Sequence, residues 1–230
     1  MKKTRITSIN SILFLSLFSV NIYSADLTLI ELYGLRDITA LENMIKKEET
    51  TASTPEEKKR LGIAWHNLAA EEKSGASQNA VNILTPLTTE LPEDYVVLSY
   101  LGSSQTMMGR DSWNPFTKMM AVNKGISLID EAIKKDKDNV TTRLIRVYNS
   151  LALPSYLRRG GKVKDDLEYL VKLIKRKSTT VLTQSEIYFL MGNLLVREDK
   201  FDLAKASFKN SIDVDPENIW ALKSKSALNN

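Results

Sequence analysis

From Leu27 onward apolar residues recur three and four positions apart, as at Leu27, Ile30, Ile38, Leu41 and Ile45, and no stretch alternates strictly between apolar and polar. That period puts the apolar side chains on one face of a helix, so the pattern predicts an all-α protein. A first helix is expected within residues 26–50, followed by a polar, threonine-rich linker from Lys46 to Pro55. The linker closes on Thr54-Pro55-Glu56-Glu57. Here threonine can cap, proline suits the first turn and Glu57 can return a bond to the cap, so a helix should begin there.

The C-terminal quarter carries a spaced pattern. With Ser185 as position 1 of a 34-residue unit, Tyr188 falls at 4, Met191 at 7, Gly192 at 8, Leu195 at 11, Phe201 at 17, Ala204 at 20, Phe208 at 24, Ser211 at 27 and Pro216 at 32. Small residues at 8 and 20 let two antiparallel helices approach, while the large residues fill the space between them. This spacing resembles the tetratricopeptide repeat. Degraded copies lie upstream. Ile133 to Val140 aligns with Ile212 to Ile219 without gaps, and Leu87 through Pro92-Glu93-Asp94 resembles a third copy with one residue added.

The resemblance implies a right-handed α-α superhelix, a solenoid of about four hairpins spanning 57–222. Its units lie near 57–92, 95–137, 140–178 and 185–218, with an extra N-terminal helix and a capping helix and tail at 219–230. In the first unit Leu68-Ala69 and Ala80 fall near the close-packing positions. In the second, Gly102 and Gly125 are 23 residues apart where the pattern wants 12, an insertion of 11 that reads as a lengthened turn over 110–120. The third has its own long turn, from Leu153-Pro154 to Gly160-Gly161. The patterns Gly109-Arg-Asp-Ser-x-Asn-Pro-x-x-Lys118, Asn123-Lys-Gly125 and Arg143-x-x-Arg-x-x-Asn-Ser-Leu-x-Leu-Pro154 also resemble small exported bacterial repeat proteins of unestablished role.

The N-terminus reads as an address. A basic start (Lys2, Lys3, Arg5), an apolar run from Ile12 to Val20 and the small-residue exit Tyr23-Ser24-Ala25 have the three-part form of a secretory signal peptide, 1–25. The run is far shorter than the roughly 20 residues a membrane span needs. Cleavage after Ser24 or Ala25 is expected. Loss of residues 1–25 leaves 205 residues and lowers the net charge from +4 to +1. The expectation is therefore a periplasmic or secreted protein without stable membrane insertion once the leader is removed. Nucleic-acid binding has no compositional support. The absence of cysteine excludes disulfides, thiolate metal sites and a lipid-modified cysteine, and the single histidine, His66, points to no metal site and no cofactor.

The chain shows no G-x-S-x-G, H-E-x-x-H, G-x-G-x-x-G or phosphate-loop motif, and its paired carboxylates are adjacent, so on a helix they diverge. A non-catalytic module that binds a protein or peptide partner is the expectation, as adaptor, scaffold or assembly factor of the cell envelope; the pattern leaves partner identity and oligomeric state open. In the last unit the groove-facing positions are Glu186, Phe189, Asn193 and Val196, with Arg197 beside them. An aromatic floor with an amide and a guanidinium suits a peptide's backbone and carboxylate. Arg143, Arg146 and Asn149 share one helix side, either as an anion clamp or as partners of nearby aspartates. Trp113, Phe116, Met119 and Met120 sit in the 110–120 insertion, where something must cover them: a neighbouring unit, or a partner. The alternative is a small-molecule or lipid-binding protein whose groove the 110–120 and 154–161 insertions close.

Overall fold

The computed structural model describes residues 29–176 and 179–229, so the leader expected at 1–25 lies outside the described residues. The described residues hold no strand. They form α1 (Leu29–Gly34), α2 (Ile38–Glu48), then four antiparallel hairpins: α3 (Pro55–Ala70) with α4 (Ala76–Glu90), α5 (Tyr95–Asp111) with α6 (Pro115–Lys135), α7 (Val140–Ala152) with α8 (Gly160–Ile174), and α9 (Val181–Arg197) with α10 (Phe201–Val214). A last helix, α11 (Ile219–Asn229), covers the end of the stack.

Local chemistry sets the boundaries. The single N-terminal helix expected in 26–50 is two helices, because Asp37 adopts an extended conformation and accepts from the Ala40 amide at 2.7 Å, starting a new helix. At α3 the expected capping box is present: Thr54 Oγ1 accepts from the Glu57 amide at 3.3 Å, and Glu57 Oε2 accepts from the Thr54 amide at 2.9 Å. Those two bonds satisfy end groups that the helix itself leaves unpaired.

Close approach of the paired helices depends on glycine where the pattern places it. A Cβ on Gly192 would lie 2.5 Å from the Phe208 ring, and one on Gly102 would lie 2.7 Å from the Gly125 carbonyl. In the first hairpin the approach falls at Gly62, where a Cβ would meet Leu84 at 2.6 Å, and not at Leu68-Ala69. The reason is arm length: α3 runs eight residues beyond Gly62, whereas α9 runs five beyond Gly192, so a register carried over from the last unit lands too far along.

The 110–120 insertion is not a lengthened turn. Its residues extend both helices, and the chain reverses across Ser112–Asn114 alone. Asn114 Oδ1 accepts from the Phe116 and Thr117 amides at 2.9 and 3.1 Å, with Pro115 in the first turn. Gly109 keeps the two backbones close up to that reversal, since a Cβ there would lie 2.9 Å from the Lys118 carbonyl. The other long connection, after α7, holds one 3-10 turn (Ser155–Leu157) and is anchored by Arg159, whose Nη2 donates to Asp130 Oδ1 on α6 at 2.7 Å.

Two apolar clusters make the core. One runs from α1 to α6 and reaches α7 at Ile145, with Leu41, Ile63, Leu84, Val97 and Ile129 among its buried members, and the other joins α7, α8 and α9 through Val147, Leu167, Leu170 and Ile187. A charged seam lies where they meet. Arg143 Nη1 donates to Asp166 Oδ1 at 2.6 Å, Arg146 Nε to Asp166 Oδ2 at 2.7 Å, and Arg146 Nη1 to Asp130 Oδ1 at 3.0 Å. The Arg143 guanidinium also stacks on Tyr169, 3.8 Å from the ring centroid.

Candidate functional site

The seam decides the open question at Arg143, Arg146 and Asn149. All three are buried; the arginines are spent on Asp166 and Asp130, and Asn149 Nδ2 donates to Thr106 Oγ1 at 2.5 Å. They hold α5, α6, α7 and α8 together and present no anion clamp to solvent.

The first helices of the hairpins lie side by side along one wall, and α1 lies against the first two. Leu32 is fully buried, and its carbonyl accepts from Asn67 Nδ2 of α3 at 2.8 Å. Tyr33 stacks on Tyr100 of α5 with ring centroids 5.9 Å apart. Behind this contact His66 Nδ1 lies 3.0 Å from Asn67 Oδ1 and His66 Nε2 lies 2.9 Å from Ser103 Oγ. A hydroxyl, an imidazole and an amide in line have the order of a nucleophile, a base and an orienting group. Burial, however, pushes the imidazole down to about 3, against a smaller opposing effect of the Asn67 bond, so it takes up no proton near neutrality. Ser103 is itself buried in mid-helix, where backbone N–H groups are engaged by the carbonyls four residues back and form no oxyanion site. The arrangement works as a clamp: the imidazole orients Asn67, and Asn67 holds α1.

The wall continues through Tyr148 of α7, whose hydroxyl donates to Glu186 Oε1 of α9. Phe189, one turn on, stands with its ring centroid 5.5 Å from Trp220 of α11 and 6.1 Å from Phe208 of α10. Lys223 lays its ammonium 4.3 Å from the Trp220 ring centroid. Burial raises the Glu186 carboxyl above its ordinary value; the Tyr148 hydroxyl, Arg36 and Lys223 pull the other way without reversing it. Burial likewise lowers Lys223. Asn193 is half-buried and donates to the Phe189 carbonyl at 3.0 Å, whereas Arg197 is exposed. The structure therefore gathers Glu186, Phe189 and Asn193 with Tyr148, Trp220 and Lys223. Position counting within one repeat found the first three. It missed Trp220 and Lys223 because they belong to the capping helix, and Tyr33 and Arg36 because nothing in their spacing says that α1 folds back.

Trp113 and Phe116 stand apart from this wall, at the α5–α6 reversal. Trp113 is 91% exposed and Phe116 74%, with Met119 and Met120 exposed beside them. The expected cover by a neighbouring unit is absent because the lengthened helices carry these side chains outward, so this segment does not close the groove. Among the described residues no group of three or more histidine, aspartate or glutamate side chains converges to hold a metal ion, and no helix is long and apolar enough to cross a membrane.

Compared with protein-family models and with curated proteins, the chain matches none. Among solved structures it is similar to a thermophilic TPR protein of Thermus thermophilus, known from a crystal structure, at 17% identity and a TM-score of 0.60, over 86% of this chain and 94% of that one. The fold is that of a tetratricopeptide-repeat protein.

Proposed function

We propose that this protein is a non-catalytic adaptor or assembly factor of the bacterial cell envelope, which takes an extended segment of a protein partner along the inner wall of α7, α9 and α11. The observation that carries the reading is the division of that wall. Over α3 and α5 the place of a ligand is already filled by α1, whose main-chain carbonyl is held by the Asn67 amide. Over α7, α9 and α11 the wall offers Tyr148, Glu186, Phe189 and Trp220, with Asn193 and Arg197 at its edge. An amide beside aromatic rings suits an extended backbone, and Arg197 suits a carboxylate on it. The leader-like segment at 1–25 supports the placement in the envelope.

A photoreactive benzoylphenylalanine introduced at Asn193 or at Val196, with Lys205 on α10 as a control position, tests the groove. Crosslinks from the first two positions to one defined segment of one protein, and none from the third, are expected. With that segment as a synthetic peptide, Phe189→Ala should weaken binding by about tenfold or more. Crosslinking spread equally over all three positions would remove the groove reading. For the compartment, the N-terminal residue of the processed protein should be Ala25 or Asp26.

A further inference from the structure

We propose that the apex of the α5–α6 hairpin docks the protein on an anionic lipid surface, with Trp113, Phe116, Met119 and Met120 entering the headgroup layer and Lys118 and Lys124 meeting the lipid phosphates. This inference is independent of the groove reading. It rests on the order of side chains away from the reversal. Trp113 is at the tip; Phe116 and Met120 follow on one face of α6, four residues apart, and Lys124 comes four residues later on that same face. With a rise of 1.5 Å per residue, the ammonium-bearing residue stands about 12 Å behind Phe116 along the axis. From Phe116 to Met120 the apolar part spans about 6 Å along the axis, within the roughly 5–10 Å to which interfacial helices bury their apolar face; Lys124 stands beyond it, and Lys118, two residues after Phe116, reaches the phosphates by extending its stem back along the helix.

Charge runs the same way. From Ser103 to Ile129 the one acid is Asp111; Arg110 is spent on it and on the Ala69 carbonyl, which leaves Lys118 and Lys124 as the charges of the apex. That acid is already engaged by Arg110 Nε and Ser77 Oγ, each at 2.7 Å. The polar side chains of the turn are spent locally as well: Asn114 caps α6, and Ser112 Oγ accepts from the Asn114 amide at 3.3 Å. A protein interface uses about one directional hydrogen bond per 100–200 Å², whereas this apex presents apolar surface and cations, the combination that a lipid headgroup layer accepts.

Because the chain holds no cysteine, Met120→Cys gives a single labelling position for an environment-sensitive NBD dye, and Lys205→Cys on α10 gives a distant control. Added to phosphatidylcholine–phosphatidylglycerol vesicles, about 30% anionic, the full chain labelled at position 120 should brighten several-fold and shift to the blue. The effect should be weaker with neutral vesicles and fall with added salt, and Lys205→Cys should stay unchanged. In a Trp113→Ala, Phe116→Ala background the response should disappear. Association through the leader alone would leave the position-120 label silent, and that silence overturns the proposal. So does an equal response in the double variant, or brightening that needs only higher protein concentration, with a dimer in sedimentation; the latter assigns the apex to a second copy. Should the double variant lose helicity, Lys118→Glu with Lys124→Glu reads the same point, its expected result being loss of the preference for anionic vesicles.

Discussion

Arg146 grips Asp166 through two parallel hydrogen bonds, Nε to Oδ2 at 2.7 Å and Nη2 to Oδ1 at 2.8 Å, and the carboxylate they share is fully buried. The pair ties α7 to α8 within one hairpin, and Arg146 Nη1 extends it to Asp130 on α6, so charge-assisted bonds also join that hairpin to the one before it.

Asp166→Asn should therefore cost more than any single methylene lost from the core. It leaves Arg143 buried without its counter-charge and Arg146 with the partly exposed Asp130 alone, a loss of about 3–5 kcal/mol in unfolding free energy. Asp130→Asn should cost distinctly less, because that side chain is 34% exposed and water replaces part of the interaction. Urea titrations of both variants at neutral pH give the comparison; equal losses would mean that the seam is not the joint described.

His66 makes the pH response readable, since it is the single histidine of the chain. Its folded pKa of about 3 lies below the ordinary value of 6.5. Between those values the unfolded chain binds a proton that the folded chain refuses, so stability is fully present above pH 6.5 and falls as pH falls. The slope approaches about 1.4 kcal/mol per pH unit. Between pH 6.5 and 5 the unfolding free energy should fall in the parent, steepening toward this slope, and fall distinctly less in His66→Gln, which keeps Glu186 and every other carboxylate. The imidazole resonances should show no titration over the same interval.

Glu186 has the opposite sign. Its carboxyl is raised by burial, so the folded state favours the protonated acid: the group's contribution is present below pH 4.5 and is lost as pH rises through the folded value. Glu186→Gln keeps an acceptor for Tyr148 and removes the buried charge. The variant should melt higher than the parent at pH 7 and equal it at pH 4. Melting curves at both values check this, and a lower melting point at pH 7 would place the carboxylate in a stabilising ion pair instead.

Gly102→Ala should destabilise by about 1–3 kcal/mol, the usual range for overpacking, because the new methyl meets the Gly125 carbonyl and the Ile129 backbone as well as Ile129 Cγ1, and the backbone cannot move aside as a flexible side-chain end would. Gly161→Ala enters open space at the start of α8 and should be neutral or add up to about 1 kcal/mol. Parallel denaturant titrations separate the two, and a harmless Gly102→Ala would show that α5 and α6 do not touch there.

How far the molecule can be read without coordinates depends on the distance over which each feature is encoded. The Thr54–Glu57 box and the Gly192–Phe208 contact are legible because their partners lie in one turn or one repeat unit. The 11 extra residues between Gly102 and Gly125 were countable, yet counting gives length without conformation. That they continue two helices follows from Asn114 and Pro115 starting α6 and from Gly109 keeping the arms together. The pairing of Arg143 and Arg146 is not legible in the sequence, because an aspartate 20 or 23 residues away cannot be distinguished from its neighbour Asp165 until helices α7 and α8 pack.

By itself, then, the sequence determined the helical class, the repeated hairpins and the close-packing glycines Gly102, Gly125 and Gly192, though not Gly62, since helix period and capping are local physics repeated along the chain. The tertiary structure decided which charges were consumed inside, that α1 folds against α3 and α5, that Trp220 and Lys223 join the groove, and that Trp113 is left uncovered. Burial and desolvation belong to surfaces brought together from distant segments, and they have no period in the sequence from which to be read.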